Sequence, residues 1–360
     1  MKSTGDTTSQ RRLLNQRIAS GLRESPADVV AAMGAMQAQD FSAALWAIGL
    51  RTAGATRQSV EQAIAERKIV RTWPMRGTLH FVAANDVRWM LQLLTPRILA
   101  GTARRIHALE LDAAVFARCR EVFLRTLQGG ACVTREAMLE QLEQDGISTA
   151  GGRGYHILFR LAQEGLICFG PRSGKAHTFV LLDEWIPRSR TLDRDAALAE
   201  LARRYFTSHG PATLQDFVWW SGLTAADARA GIALAKLDAT PIAGTPHWGP
   251  ESTAPAAPSS SPAQLLPSFD EYLLGYKDRA AVLDAAHGSK VNPGNNGVFM
   301  HTVLMRGRVC ATWKQVLRKN AVTITVHPFA PFQKSDQNAL LSPARRYAQF
   351  LGVESAHLDI

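Results

Sequence analysis

The chain has 360 residues, too many for one small core, and its 46% hydrophobic and 20% charged content excludes a disordered or fibrous polypeptide. A formal charge of +10 favours a polyanionic partner, because Lys and Arg displace the counterions around phosphates. No apolar run is long enough to span a bilayer, and residues 1–12 lack a signal-peptide core, so a soluble cytoplasmic protein is predicted. Cys119, Cys132, Cys168 and Cys310 form no CxxC pair and have no histidine at zinc-ligand spacing. They are expected to be reduced and packed, with no metal.

The first helix signal is Ser25-Pro26, a cap followed by proline at the first helical position, with Asp28 completing it. Its apolar stripe is Val29, Val30, Met33 and Met36. A second helix is expected after Asp40, with Leu45, Trp46 and Leu50 inward. A third starts at the Ser59/Gln62 capping box and ends near Lys68. Two β-type runs follow, 69–73 and 78–82, around a turn at 74–77. Three helices and a hairpin make a winged-helix plan. A long helix with a kink or break at Pro96 comes next.

The plan then repeats. Thr134 caps a helix that Gly146 ends, and a helix over 153–164 carries Ile157, Leu158 and Leu161 inward. Strands 166–169 and 177–182 flank a tip at 170–175. A third unit has a helix from Arg194 to Gly210-Pro211, then capping boxes Thr213/Asp216 and Thr224/Asp227, then a short β-like run near Ile242. The repeat is structural, at roughly 60 residues per unit.

Residues 249–263 are Pro-, Ser- and Ala-rich and read as a flexible linker or loop. Beyond them, β-type runs 298–305, 309–313 and 322–326 suggest a small antiparallel sheet, closed by a helix over 343–351. The expected class is α+β, with tandem winged-helix units followed by a C-terminal antiparallel β-domain. The expected boundaries are 11–110, 111–190, 191–248, the linker 249–263, and 264–360.

Familiar catalytic patterns are missing: there is no GxxxxGK(S/T), HExxH or GxSxG, and no Gly-rich turn between a strand and a helix. Neither metal nor nucleotide cofactor is expected. The informative stretch is Gln37-Ala38-Gln39-Asp40. On a helix, residues two apart point about 200° away from each other, so the glutamines share a target only if the backbone opens here. The junction between two helices makes that reasonable. Asp40 itself is most simply a helix cap.

In register with this motif stand Trp46-Ala47-Ile48-Gly49-Leu50-Arg51, the run Arg71-Thr72-Trp73-Pro74-Met75-Arg76-Gly77-Thr78-Leu79-His80, and Leu265-Leu266-Pro267-Ser268-Phe269-Asp270-Glu271-Tyr272-Leu273-Leu274-Gly275-Tyr276-Lys277-Asp278-Arg279. Together they resemble the AlkZ-like winged-helix DNA glycosylases, over about 13–352. That family carries Gln-aliphatic-Gln or Gln-aliphatic-Asp, and this chain has the first. The resemblance implies tandem winged helices with a C-terminal β-domain, excision of alkylated bases, and unhooking of interstrand crosslinks. It makes Gln37 and Gln39 the expected catalytic pair and duplex DNA with alkylated or crosslinked purines the expected partner. A dimerising regulator would carry a heptad run, which the sequence lacks, and a monomer is the default oligomeric state.

A glutamine amide does not titrate near neutral pH, so neither residue acts as an ordinary general base. The pair can hold a water and aim its oxygen at a sugar carbon, which suits a cationic purine that is already a good leaving group. With no catalytic lysine motif, a monofunctional glycosylase is expected. The wrap around the duplex that the family implies removes the need to flip a base tied to the opposite strand, so little flipping is expected.

For DNA contacts, the hairpin bearing Arg71, Trp73, Arg76 and His80 is a candidate to enter a groove. The competing reading packs Trp73 against the following helix, pairs Arg76 with an acid, and makes His80 structural. Arg160 on the second unit's helix, and Arg172 and Lys175 at its wing tip, are candidates for phosphate contacts. The block 269–279 is read as a domain junction, with Asp278 and Arg279 pairing locally. The alternative function is a non-catalytic winged-helix regulator or lesion sensor, since winged helices more often regulate than catalyse.

Overall fold

The computed structural model describes residues 4–18, 22–250 and 262–360. Most of the 249–263 linker therefore lies outside the described residues. The chain divides into two compact units: Met1–Val60 with Leu198–Ile360, and Glu61–Ala197. It is a mixed α+β fold.

In the first unit, Ser25 caps Pro26–Met33 as expected, accepting from the Asp28 N–H at 3.2 Å. The helix does not run on to Met36. Gly34 stops it with φ +80°, a value glycine adopts without a Cβ clash, and Ala35–Gln37 forms a strand instead. Helix Phe41–Gly49 then starts on the Asp40 cap. The third helix is Arg57–Ala65, three residues earlier than a Ser59 cap would start it. Thr56 and Ser59 bond reciprocally, each backbone N–H to the other's hydroxyl, so Thr56 supplies the cap.

Later in this unit, Thr213 and Asp216 make the expected capping box and Thr224 caps Ala225–Leu234. The β-like run near Ile242 is a hairpin, Ala239–Ile242 with Thr245–Trp248. The C-terminal sheet has five strands in the order Ser355–Asp359, Ala321–Pro328, Arg308–Leu317, Thr302–Met305, Ala263–Leu266. It is not purely antiparallel, because Ser355–Asp359 lies parallel to Ala321–Pro328. Parallel neighbours need a crossover, and helices Lys334–Ala339 and Leu341–Leu351 supply it. Val309, Ala311 and Trp313 alternate inward on the central hairpin, facing a core shared with Val322, Ile324 and Val326.

The second unit holds five antiparallel-paired strands in the order Thr78–Ala83, Ile69–Met75, Ile167–Phe169, Thr178–Leu181, Val133–Thr134. The two hairpins read separately from sequence thus share one sheet, joined where Arg71 pairs with Phe169. Ile69–Met75 passes through Pro74, and the register shift between Thr72 and Met75 absorbs its missing N–H. Helix Val87–Ala108 also passes through Pro96 without a break. Its flanking turns bury Trp89, Met90, Leu93 and Leu94, and that packing outweighs the lost hydrogen bond.

Candidate functional site

Gln37 ends an extended strand and Gln39 lies in the bend that follows it, so neither stands on a helix and the two are not held on opposite helix faces. Met36 and Ala38, on the alternate positions, are fully buried. Gln37 closes the strand at 9% exposure, and Gln39, two residues on and in a bend, stands exposed. The motif therefore offers one seated amide and one open amide, two residues apart.

The segment is pinned at both ends. The Gln37 backbone N–H donates to Glu271 Oε1 at 3.0 Å. Asp40 Oδ1 accepts from the Ala43 N–H at 3.0 Å, and its Oδ2 accepts from the Ser268 hydroxyl at 3.4 Å. The Ser268 N–H donates to His301 Nδ1 at 2.7 Å, which leaves the imidazole proton on Nε2. Burial holds His301 below the ordinary histidine range while Asp40 pulls the other way. The strand behind is held by two indoles: Trp46 donates to the Leu265 carbonyl and Trp313 to the Leu266 carbonyl, both at 2.8 Å.

The block 269–279 is far more than a junction. Asp270 accepts two hydrogen bonds from the Arg51 guanidinium, at 2.8 and 2.9 Å, and both side chains are buried. Gln16 Oε1 accepts from the same guanidinium at 2.8 Å. Glu271 Oε2 accepts from Trp220 Nε1 at 2.9 Å. Tyr272 donates to the Gly307 carbonyl and Tyr276 to the His209 carbonyl. Asp278 and Arg279 do not pair with each other: the Arg279 Nε donates to the Leu273 carbonyl, and its guanidinium lies over Phe299. Sequence reasoning missed Arg51, Trp220, Asp270 and Glu271 as a polar core. The only signal was an acidic pair, Asp270-Glu271, amid apolar residues.

In the second unit the predicted DNA-contact residues fall into two groups. Arg71 is 4% exposed, lies over the Phe169 ring, and has His177 within 3.4 Å. Trp73 is buried edge-on to Phe159 and tilted against Phe169. His80 is fully buried; its Nδ1 lies 2.9 Å from the Thr78 carbonyl and its Nε2 3.2 Å from the Arg76 guanidinium. Arg76, half-buried, opens the turn with φ +54°. Arg160 sits over Phe116 and pairs with Glu164 at 2.7 Å. At the turn 170–175 Arg172 donates to the Lys175 carbonyl, and the Lys175 side chain is exposed. Arg71, Trp73 and His80 are thus core, and Lys175 is the most open of the set.

The first unit carries an exposed tip that the sequence reading did not mark. The strands of the hairpin Arg308–Leu317/Ala321–Pro328 run on past Trp313, so Val316 and Leu317, each more than half exposed, adjoin exposed Arg318 and Lys319. Among the described residues, no group of three or more His, Cys, Asp or Glu side chains is placed to hold a metal. Burial pushes the Cys119 thiol up to about 11 and Cys310 to about 12, so neither is a ready thiolate.

The family model "DNA glycosylase AlkZ-like" matches residues 30–350. The chain belongs to the AlkZ-like DNA glycosylase family. This AlkZ-like chain is 27% identical to an interstrand DNA cross-link repair glycosylase of Streptomyces sahachiroi, over 95% of each chain. Its fold matches that of the Streptomyces sahachiroi DNA glycosylase AlkZ with a TM-score of 0.80, at 25% identity and over 99% of each chain. No helix among the described residues is long and apolar enough to cross a membrane.

Proposed function

We infer that this AlkZ-like glycosylase hydrolyses the N-glycosidic bond of cationic N-alkylated purines in double-stranded DNA, with Gln37 and Gln39 aiming the attacking water. The supporting observation is that the backbone leaves the helix before the motif: Gln37 ends the strand Ala35–Gln37, Ala38 is buried, and Gln39 stands exposed in the bend beyond. Two neutral acceptors hold a water without deprotonating it. They suit a leaving group that departs as a neutral base because alkylation has already made it cationic. The remaining barrier is met by orienting water against an oxocarbenium-like sugar. The reaction needs no metal, no nucleotide cofactor and no lysine nucleophile, and it leaves an abasic site. The substrate range includes interstrand crosslinks, in line with the crosslink repair for which the Streptomyces sahachiroi relative is named.

DNA is held by winged-helix units over 11–110, 111–190 and 191–248, ahead of the β-domain 264–360, in a monomer. Arg76, Arg160, Arg172 and Lys175 are the outward candidates for phosphate contact, while Arg71, Trp73 and His80 support the hairpin from inside. The apolar-and-basic tip around Leu317 and Lys319 has the composition of a groove wedge. The test is selectivity: base release from a duplex carrying N7-methylguanine, beside duplexes carrying hypoxanthine or only normal bases. Release confined to the cationic base supports the reading, and equal release from neutral bases contradicts it.

A further inference from the structure

Glu271 is 1% exposed, yet it is a carboxylate, and a buried charge is costly unless it is fully hydrogen-bonded. It reaches three chain segments at once. Oε1 accepts from the Gln37 backbone N–H at 3.0 Å. Oε2 accepts from the indole N–H of Trp220, in helix Leu214–Ser221, at 2.9 Å. The same oxygen lies 3.4 Å from Nε2 of His209, at the end of helix Arg194–His209.

The imidazole is seated closely. His209 Nδ1 lies 2.8 Å from the Ser208 hydroxyl, and the ring stacks on Tyr205 with centroids 4.8 Å apart. A Cβ at position 275 would stand 2.5 Å from His209 Cδ2 and 2.6 Å from the Glu271 carbonyl oxygen. Glycine at 275 is therefore what lets the ring and the Glu271 helix come together.

The strand this carboxylate holds is three residues long, and Gln37 is its last residue. A short strand end is where backbone direction is most easily lost. The geometry points to Glu271 as a positioning residue for base excision: its carboxylate fixes the Gln37 backbone, and through it the direction of the Gln37 amide. This rests on the glutamine pair being the groups that aim water. Glu271 touches no substrate, because it is sealed inside the protein. Its effect passes through Gln37, and a misplacement of about 1 Å at a catalytic group costs on the order of a hundredfold in rate.

The test uses Glu271→Gln, which keeps the shape and replaces one acceptor oxygen with an N–H donor. One of the Gln37 and Trp220 donors then faces a donor. Single-turnover release of N7-methylguanine is expected to fall about ten- to a hundredfold, with duplex affinity changed by less than about twofold. In a Gln37→Ala background the same substitution is expected to cost nothing further, because its route is already cut. Trp220→Phe removes one donor to the carboxylate and keeps a ring, so it is expected to give a smaller loss of the same kind. Hydrogen exchange at the Gln37 amide is expected to quicken in Glu271→Gln, a readout independent of activity. A full additional loss in the Gln37→Ala background overturns the proposal, as does unchanged exchange at Gln37. If the wild type releases no base, the glycosylase reading fails and the catalytic role of Glu271 falls with it. The exchange measurement then still decides whether Glu271 holds the strand.

Discussion

Asp40 sits beside Gln39 and invites a catalytic reading, but both its oxygens are engaged, one by the Ala43 N–H and one by the Ser268 hydroxyl. Its cap role was legible from sequence, because Asp before an apolar run is a strong helix start. The glutamine pair was legible as a motif but not as a geometry. The stripe of Met33 and Met36 predicts that the helix continues, and only the φ of Gly34 ends it and makes the backbone extended. If capping is what Asp40 does, Asp40→Asn leaves both base release and the melting midpoint nearly unchanged. Asp40→Ala then destabilises by about 1 kcal/mol, seen in urea melts. A large loss of release in Asp40→Asn, with stability intact, would instead assign the charge to the reaction.

At the scale of elements, the hairpins 69–83 and 167–181 were both legible, because β-branched and aromatic runs flank clear turn residues. Their union in one sheet was not, since nothing local announces the Arg71–Phe169 pairing. That union explains why Arg71 is buried and Lys175 is not. Lys175→Ala is therefore expected to weaken duplex binding evenly across sequences and to flatten the salt slope by about one unit. Arg71→Ala should lower the melting midpoint instead.

His177 lies against Arg71, with Arg172 and Glu136 nearby. Burial and the Arg71 charge push its pKa down from 6.5 to about 4. The folded state therefore keeps the ring neutral while the unfolded chain protonates it first. Its contribution to stability is complete above pH 6.5 and is lost as pH falls from 6.5 toward 4. His209 and His301, also depressed by burial, act with the same sign. Melting midpoints should drop through that window, and His177→Gln should make the drop shallower. An unaltered acid limb in that variant would remove His177 as a contributor.

The AlkZ-like family match covers residues 30–350, and the motif blocks that carry the sequence resemblance lie far apart along the chain. Three-dimensional pairing explains two of them. Arg51 and Asp270 are 219 positions apart and meet as a buried bidentate pair that also holds Gln16. A pair of that separation leaves no trace in periodicity or spacing, and the apolar setting of Asp270 was the only hint. Removing one partner strands the other charge in the interior, at a cost of about 3–5 kcal/mol. Arg51→Met should therefore unfold at clearly lower urea, and Arg51→Met with Asp270→Leu should recover part of the loss. The parallel strand Ser355–Asp359 was equally hidden, because SAHLD has no β-branched residue and its pairing depends on two intervening helices.

The most direct measurement is single-turnover base release from duplexes carrying one N7-alkylguanine or one N7–N7 interstrand crosslink, for wild type, Gln37→Ala and Gln39→Ala. The expected result is release by wild type and a loss of about a hundredfold or more in each variant, with duplex binding intact. Binding by wild type without release from either duplex, or release undiminished in both variants, would contradict a glycosylase that works through this glutamine pair.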